Sequence, residues 1–306
     1  MVKRVSSVVW LIALGAMASA QPRAQSERPP SFRSAVDLVS VSAVVRDGRG
    51  RLVRDLTRED FRILDGGERR PIIDFWFDEA ASVSVAILLD TSGSMRGSKM
   101  ADARSSADVL LARLRADDES AVFTFDAELH EVEPFTTERQ RLRNALGNLE
   151  PYGATSLYDA IAETARKTSA RSSKHRAVVV FSDGLDTHSS LTAPEVSAIA
   201  SSIDVPVYLV AIVSPLDRPD APTAAGGSAE RVGHLRDLAR WTGGGVYFVS
   251  APSEASRVLF ELLAELRHQY ILAFEAASEA GWRLIHVDVG KRSVRTRSAY
   301  QARARN

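Results

Sequence analysis

Through the middle of the chain, short apolar runs alternate with amphipathic stretches. Aliphatic and β-branched runs stand at Val83 to Asp90, Ala121 to Phe125, Leu129 to Glu133, Ala177 to Ser182, Val205 to Val213 and Val246 to Val249. Between them, apolar residues recur at helical spacing in Met100 to Leu114, Glu138 to Leu149, Leu157 to Thr168, Pro194 to Ser202 and Gly233 to Thr242. Gly243-Gly244-Gly245 stops the last of these. Strand and helix in turn predict an α/β domain with a doubly wound, mostly parallel six-stranded sheet, Rossmann-like in architecture.

The flanks follow a different period. Leu38 to Val45, the turn Asp47-Gly48-Arg49-Gly50 and Leu52-Val53 read as a hairpin. Leu56 to Phe61 reads as a capped turn with Thr57 at the cap and Asp60 three residues on. Short strands follow at Arg62 to Leu64 and Ile72 to Phe77, separated by an Asp65-Gly66-Gly67 turn. Beyond a helix at Ser253 to Arg267, strands return at Gln269 to Glu275, Arg283 to Val289 and Val294 to Tyr300. Neither flank has enough strands to bury a face alone. The expectation is one small β domain in which residues 35–80 pair with residues 269–306, with the α/β domain of residues 81–268 inserted between its halves.

The N-terminus changes the picture of location. Lys3 and Arg4 precede an apolar run from Val5 to Ala18 that ends in Ala18-Ser19-Ala20, the order of regions in a secretory signal peptide. The run is shorter than the roughly 20 residues of a spanning helix, so residues 1–20 are expected to be cleaved, leaving a periplasmic or secreted protein with no stable membrane insertion. Residues 21–34, with three prolines and no apolar period, read as a disordered linker. Lys plus Arg and Asp plus Glu number 39 each, so no positive field points to nucleic acid. Cysteine is absent, which excludes disulfides and thiolate metal sites.

The chemistry concentrates at strand ends. Asp90-Thr91-Ser92-Gly93-Ser94 places a carboxylate and two hydroxyls at spacing two, where a buried strand gives way to a helix. Ligands of open α/β sheets bind there, beside a topological switch point. Oxygens of Asp, Ser and Thr are hard donors suited to Mg²⁺ or Ca²⁺. Asp90-x-Ser92-x-Ser94 resembles the metal-ion-dependent adhesion site of von Willebrand factor type A domains. Gly153-Ala154-Thr155 resembles that family's Gly-Gly-Thr segment, and Phe181-Ser182-Asp183-Gly184 its Ser-Asp-Gly loop. Ala154 departs from the pattern, standing where a glycine is usual. Leu56 to Gly66 and Phe181 to Thr187 further resemble a narrower bacterial group, the VWFA-related domain proteins.

The resemblance implies a metal set of Asp90, Ser92, Ser94, Thr155 and Asp183. The three hydroxyls would reach the ion directly or through water, and the two carboxylates would act partly through water and hydroxyl hydrogen bonds. Mg²⁺ is the ion implied, with Mn²⁺ and Ca²⁺ as alternatives. An ion with few anionic ligands keeps strong Lewis acidity, so a partner protein's Asp or Glu carboxylate can complete its coordination. The function implied is an exported, metal-dependent protein-binding module without catalysis. Two readings stand beside it: a structural envelope component with a vestigial site, and a metal-dependent hydrolase. Gly-x-Ser-x-Gly, Gly-x-Gly-x-x-Gly and the phosphate-binding Gly-Lys-Ser/Thr loop do not occur. Asp186 reads as a solvated loop residue, Tyr152 as a neighbour of the ligand face or packing for its loop. The six histidines show no zinc spacing, and Val294 to Arg297 reads as an edge strand with a solvated basic face.

Overall fold

The structure, a computed structural model, describes residues 37–147, 149–213 and 226–302. The signal-peptide and linker expectations for residues 1–34 lie outside these. The N-terminal flank forms β1 (Leu38–Arg46), β2 (Arg62–Asp65), β3 (Glu68–Arg70) and β4 (Ile72–Trp76). The alternating region forms β5 (Val83–Asp90), α1 (Ser98–Arg113), β6 (Glu119–Phe125), β7 (Leu129–Thr136), α2 (Arg139–Ala145), α3 (Leu157–Ser169) and β8 (His175–Ser182). It continues through α4 (Ala193–Ser202), β9 (Val207–Ile212), α5 (Gly226–Thr242), β10 (Val246–Val249) and α6 (Pro252–Arg267). Four strands close the described chain: β11 (Gln269–Glu275), β12 (Gly281–Asp288), β13 (Ser293–Arg295) and β14 (Ala299–Ala302).

All eight residues of β5 are buried, which only a central strand covered on both faces can achieve. The six-stranded sheet runs β10-β9-β8-β5-β6-β7, parallel except for β7, which returns antiparallel beside β6. Val85, Ile87 and Leu89 of β5 face a core shared with Leu110 of α1 and Leu259 of α6. The alternate residues Ala86 and Leu88 face Ile161 of α3, Val196 of α4 and Leu238 of α5. Each such leucine or isoleucine, fully buried, contributes about 1.5–3 kcal/mol. From β5 the chain moves to β6 on one side and then, through α3, to β8 on the other. The carboxyl ends of β5 and β8 therefore flank the switch point of the sheet.

The remaining strands form two four-stranded sheets, β13-β1-β11-β4 and β14-β12-β2-β3, each drawing strands from both flanks. Their registers set Val41 opposite Leu272 and Ile63 opposite Val287. One core joins the two sheets, including Val41, Val45, Phe61, Ile63, Tyr270, Phe274, Val287 and Tyr300.

Several local expectations are corrected. The return arm of the first hairpin shrinks to a single bridge between Arg46 and Leu52. The expected helix over 138–149 ends at Ala145. The expected strand Val294 to Tyr300 is two strands in different sheets, because Arg297 leaves the edge and turns inward. Its guanidinium donates to the Ser201 and Ser40 carbonyls and lies 3.5 Å from Asp204, with only 4% of its side chain exposed. Arg295 is not a solvated edge residue either, since it pairs with buried Glu265. Among the described residues no helix is long and apolar enough to cross a membrane.

Candidate functional site

Three loops meet at the carboxyl ends of β5 and β8. Parallel pairing sets Leu89 beside Phe181, so the next residues, Asp90 and Ser182, emerge as neighbours. Ser182 Oγ donates to Asp90 Oδ2 at 2.6 Å, and the Ser92 amide donates to Asp90 Oδ1 at 2.9 Å. Asp90 is fully buried. Burial pushes its carboxyl up to about 6 against the pull of the Ser182 and Ser92 hydrogen bonds, and the nearby Asp183 charge adds to the rise.

The first loop is held from both sides. Thr91 donates from its amide and from Oγ1 to the Phe125 carbonyl at 2.8 and 3.0 Å, which ties it to the end of β6. The Gly93 amide donates to the Gly153 carbonyl at 3.1 Å, and the Tyr152 amide to the Thr91 carbonyl at 2.7 Å. This approach favours glycine, since a Cβ on Gly93 would stand 3.3 Å from the Gly153 oxygen, a tight contact. Ser92 Oγ and Ser94 Oγ then lie 3.1 Å apart.

The threonine loop turns at Gly153, where φ is +82°. The left-handed residue is therefore Gly153, not Ala154, and alanine at the departing position carries no strain. Thr155 is buried. Its carbonyl accepts from the amides of Thr187 and His188 at 2.9 and 3.0 Å, and its amide donates to Thr187 Oγ1 at 3.0 Å. The second and third loops are thus bonded to each other as firmly as the first is to the second.

In the third loop the Gly184 amide donates to Ser182 Oγ at 2.9 Å. Gly184 has φ +80°, and a Cβ there would stand 2.6 Å from Leu235 Cδ1, so the backbone conformation and the packing favour glycine at this position. Asp183 Oδ1 accepts from the Leu185 amide at 3.2 Å, and Oδ2 accepts from Lys99 Nζ at 2.7 Å. Lys99 stands in the first turn of α1. Among the described residues no group of three or more histidines, aspartates or glutamates is placed to hold a metal. Asp90 and Asp183 at this face are accompanied by hydroxyls.

Sequence reasoning named Asp90, Ser92, Ser94, Thr155 and Asp183, and all five lie on these bonded loops. It missed Ser182, Thr187 and Lys99. Ser182 was legible as the residue after Phe181, aligned by strand pairing with Asp90. Lys99 carries no motif, and only the close approach of α1 to the third loop reveals it. Asp186 has a local role: its Oδ1 accepts from Ser189 Oγ at 2.6 Å and from the Tyr158 amide at 3.4 Å at the start of α3, beside a cavity of about 490 Å³. Tyr152 is 73% exposed and does not pack against its loop.

A doubly wound sheet thus carries a carboxylate–hydroxyl loop cluster at its switch point. Residues 85–185 match the sequence model of the von Willebrand factor type A domain. A von Willebrand factor type A protein from Catenulispora acidiphila is similar in structure, with 14% identity and a TM-score of 0.51 over 89% of this chain and 75% of its own. The conserved hypothetical protein BatB from Bacteroides thetaiotaomicron is similar with 19% identity and a TM-score of 0.50 over 60% of this chain and 98% of its own. No curated protein matches the sequence.

Proposed function

We propose that this protein is an exported interaction module that captures a carboxylate of a partner protein through a divalent ion at Asp90, Ser92, Ser94, Thr155 and Asp183. The observation that carries the reading is the bonding of three separate loops, through Ser182 to Asp90 and Gly93 to Gly153, into one oxygen-rich cluster at the switch point. The type A domain match over residues 85–185 supports an interaction role, and the donors are all hard oxygens, matched to Mg²⁺ and Mn²⁺. Charge also favours an ion. Asp90 is desolvated and raised, with the negative Asp183 nearby, and a divalent cation relieves both strains. Ser92, Ser94 and Thr155 would supply neutral oxygens, leaving the ion acidic enough to take a partner's Glu or Asp.

Calorimetric titration with MgCl₂ on the wild type and on Asp183→Ala tests this. The variant should bind at least about tenfold more weakly, since a lost carboxylate near a divalent ion removes more than about 1.4 kcal/mol of attraction. Its melting temperature in chelator should fall only modestly, because the variant loses the Lys99 pair and the Leu185 amide bond but no core packing. Equal affinity in the two proteins sinks the reading. The export half rests on residues 1–20 of the sequence, and the mass of the protein purified from its host should place the mature N-terminus at Gln21.

A further inference from the structure

The site already holds a cation supplied by the chain itself. Lys99 Nζ lies 2.7 Å from Asp183 Oδ2, while the Asp183 side chain is 5% exposed and that of Lys99 33%. Lys99 is also at the wrong end of its helix. It stands in the first turn of α1, a 16-residue helix with no acidic residue in that turn, where the macrodipole is positive and a lysine is disfavoured. A lysine held there against the dipole needs a compensating anion, and Asp183 is the carboxylate it touches.

We infer that Lys99 is a tethered counter-cation that holds Asp183 in the metal-free protein and competes with the divalent ion for it. This rests on the metal-site reading above. The physical argument is one of charge. Asp90, Asp183 and Lys99 together carry one net negative charge, and a divalent ion entering beside Lys99 turns the sum to one net positive. The ion must either displace the ammonium from Asp183 or bear its repulsion at short range, and both weaken metal binding. A partner's carboxylate removes the excess charge. Lys99 therefore makes ion and partner depend on each other: metal alone is held weakly, and metal with a carboxylate is held well.

MgCl₂ titrations of the full chain by calorimetry, on wild type, Lys99→Met, Lys99→Gln, Lys99→Arg and Asp183→Ala, test this. Removing one positive charge near the ion should tighten Mg²⁺ binding about tenfold in Lys99→Met and Lys99→Gln, with Lys99→Arg close to wild type. In chelator the order reverses, and the two neutral variants should melt below wild type because Asp183 loses its partner. Neutral variants that bind Mg²⁺ no more tightly than wild type, while Asp183→Ala binds more weakly, overturn the role of Lys99 and leave the metal site standing. Equal affinity in wild type and Asp183→Ala overturns the site and Lys99 with it. Agreement between the methionine and glutamine variants separates the charge effect from any packing defect of one substitution.

Discussion

The two ends of the parallel sheet treat buried carboxylates in opposite ways. At the amino end, where the sheet meets the β-sandwich strands, buried acids are met by arginine. Asp118, just before β6, is fully buried and accepts from the Arg267 guanidinium and from the Val83 amide at 3.0 Å. Glu265 near the end of α6 pairs with both Arg46 and Arg295 and accepts from Tyr247 Oη at 3.0 Å. Asp204, ahead of β9, lies beside Arg297. At the carboxyl end, Asp90 has an amide and a hydroxyl but, among the described residues, no cation in hydrogen-bond contact. Burial opposes ionisation at both ends. At Asp118 the Arg267 hydrogen bonds overcome it and hold the carboxyl below its ordinary value, whereas at Asp90 it prevails and pushes the carboxyl up to about 6. The amino end is finished with arginines, whereas at the carboxyl end Lys99 meets Asp183 and Asp90 is left with neutral partners alone.

The contrast requires the two ends to respond differently to mutation. Arg267→Ala leaves Asp118 buried without its guanidinium and should cost about 3–5 kcal/mol, the usual penalty for breaking a buried pair. Urea unfolding followed by circular dichroism measures it. Arg267→Met combined with Asp118→Leu should recover much of the loss, since removing both charges removes the desolvation cost. A loss under about 1 kcal/mol in the single variant would mean that water reaches Asp118 and that the amino end is no better compensated than the site.

The carboxyl end should show itself in the pH dependence of the metal-free protein. Asp90 has its folded-state value raised from 3.8 to about 6, so the native state holds this proton more tightly than the unfolded chain does. Its contribution is most favourable below about pH 4 and is lost as pH rises through about 6. The loss is on the order of 2–3 kcal/mol, because a tenfold difference in proton affinity between folded and unfolded chain is worth about 1.4 kcal/mol. Other acids such as Asp118 are displaced the opposite way, so the informative quantity is the difference between wild type and Asp90→Asn. In chelator, melting temperatures from pH 4 to 7 should show wild type losing ground to Asp90→Asn as pH rises. Parallel curves would remove the distinction between the two ends.

How much of this was legible in the sequence follows from the range of the interactions. Period and composition are local, so β5, β8, α3 and α6 could be placed within a few residues, as could the five oxygen donors at the ends of elements. Strand pairing across distant chain segments is visible only as a shortage of partners in each flank. The arginines of the amino end left no readable signal. Val294-Arg295-Thr296-Arg297 has the alternation of a solvated edge strand, yet both arginines turn toward acids or carbonyls of the α/β layer. Alternation reports which residues share a face, not what that face meets. Lys99 was hidden for a similar reason, since α1 must dock before its first turn reaches the third loop.

The smallest effect concerns Ser182, which separates the two ends at the level of one hydroxyl. Its Oγ donates to Asp90 Oδ2 and accepts from the Gly184 amide, so it links the buried acid to the turn that carries Asp183. Ser182→Ala removes both bonds and leaves the carboxylate less stabilised in its ionised form. At pH 7 the cost should be about 1–2 kcal/mol, within the range for a hydrogen bond to a charged group. At pH 4, where Asp90 is protonated, the cost should shrink, because a neutral carboxyl accepts from the hydroxyl more weakly. In Asp90→Asn the same substitution should cost less at pH 7 than in wild type, giving a coupling energy of roughly 0.5–1.5 kcal/mol by double-mutant cycle. Chemical denaturation in chelator of the four proteins at both pH values supplies the cycle. A coupling near zero, unchanged with pH, would mean that Ser182 serves the turn alone and that Asp90 is held ionised by the Ser92 amide without help from the neighbouring strand.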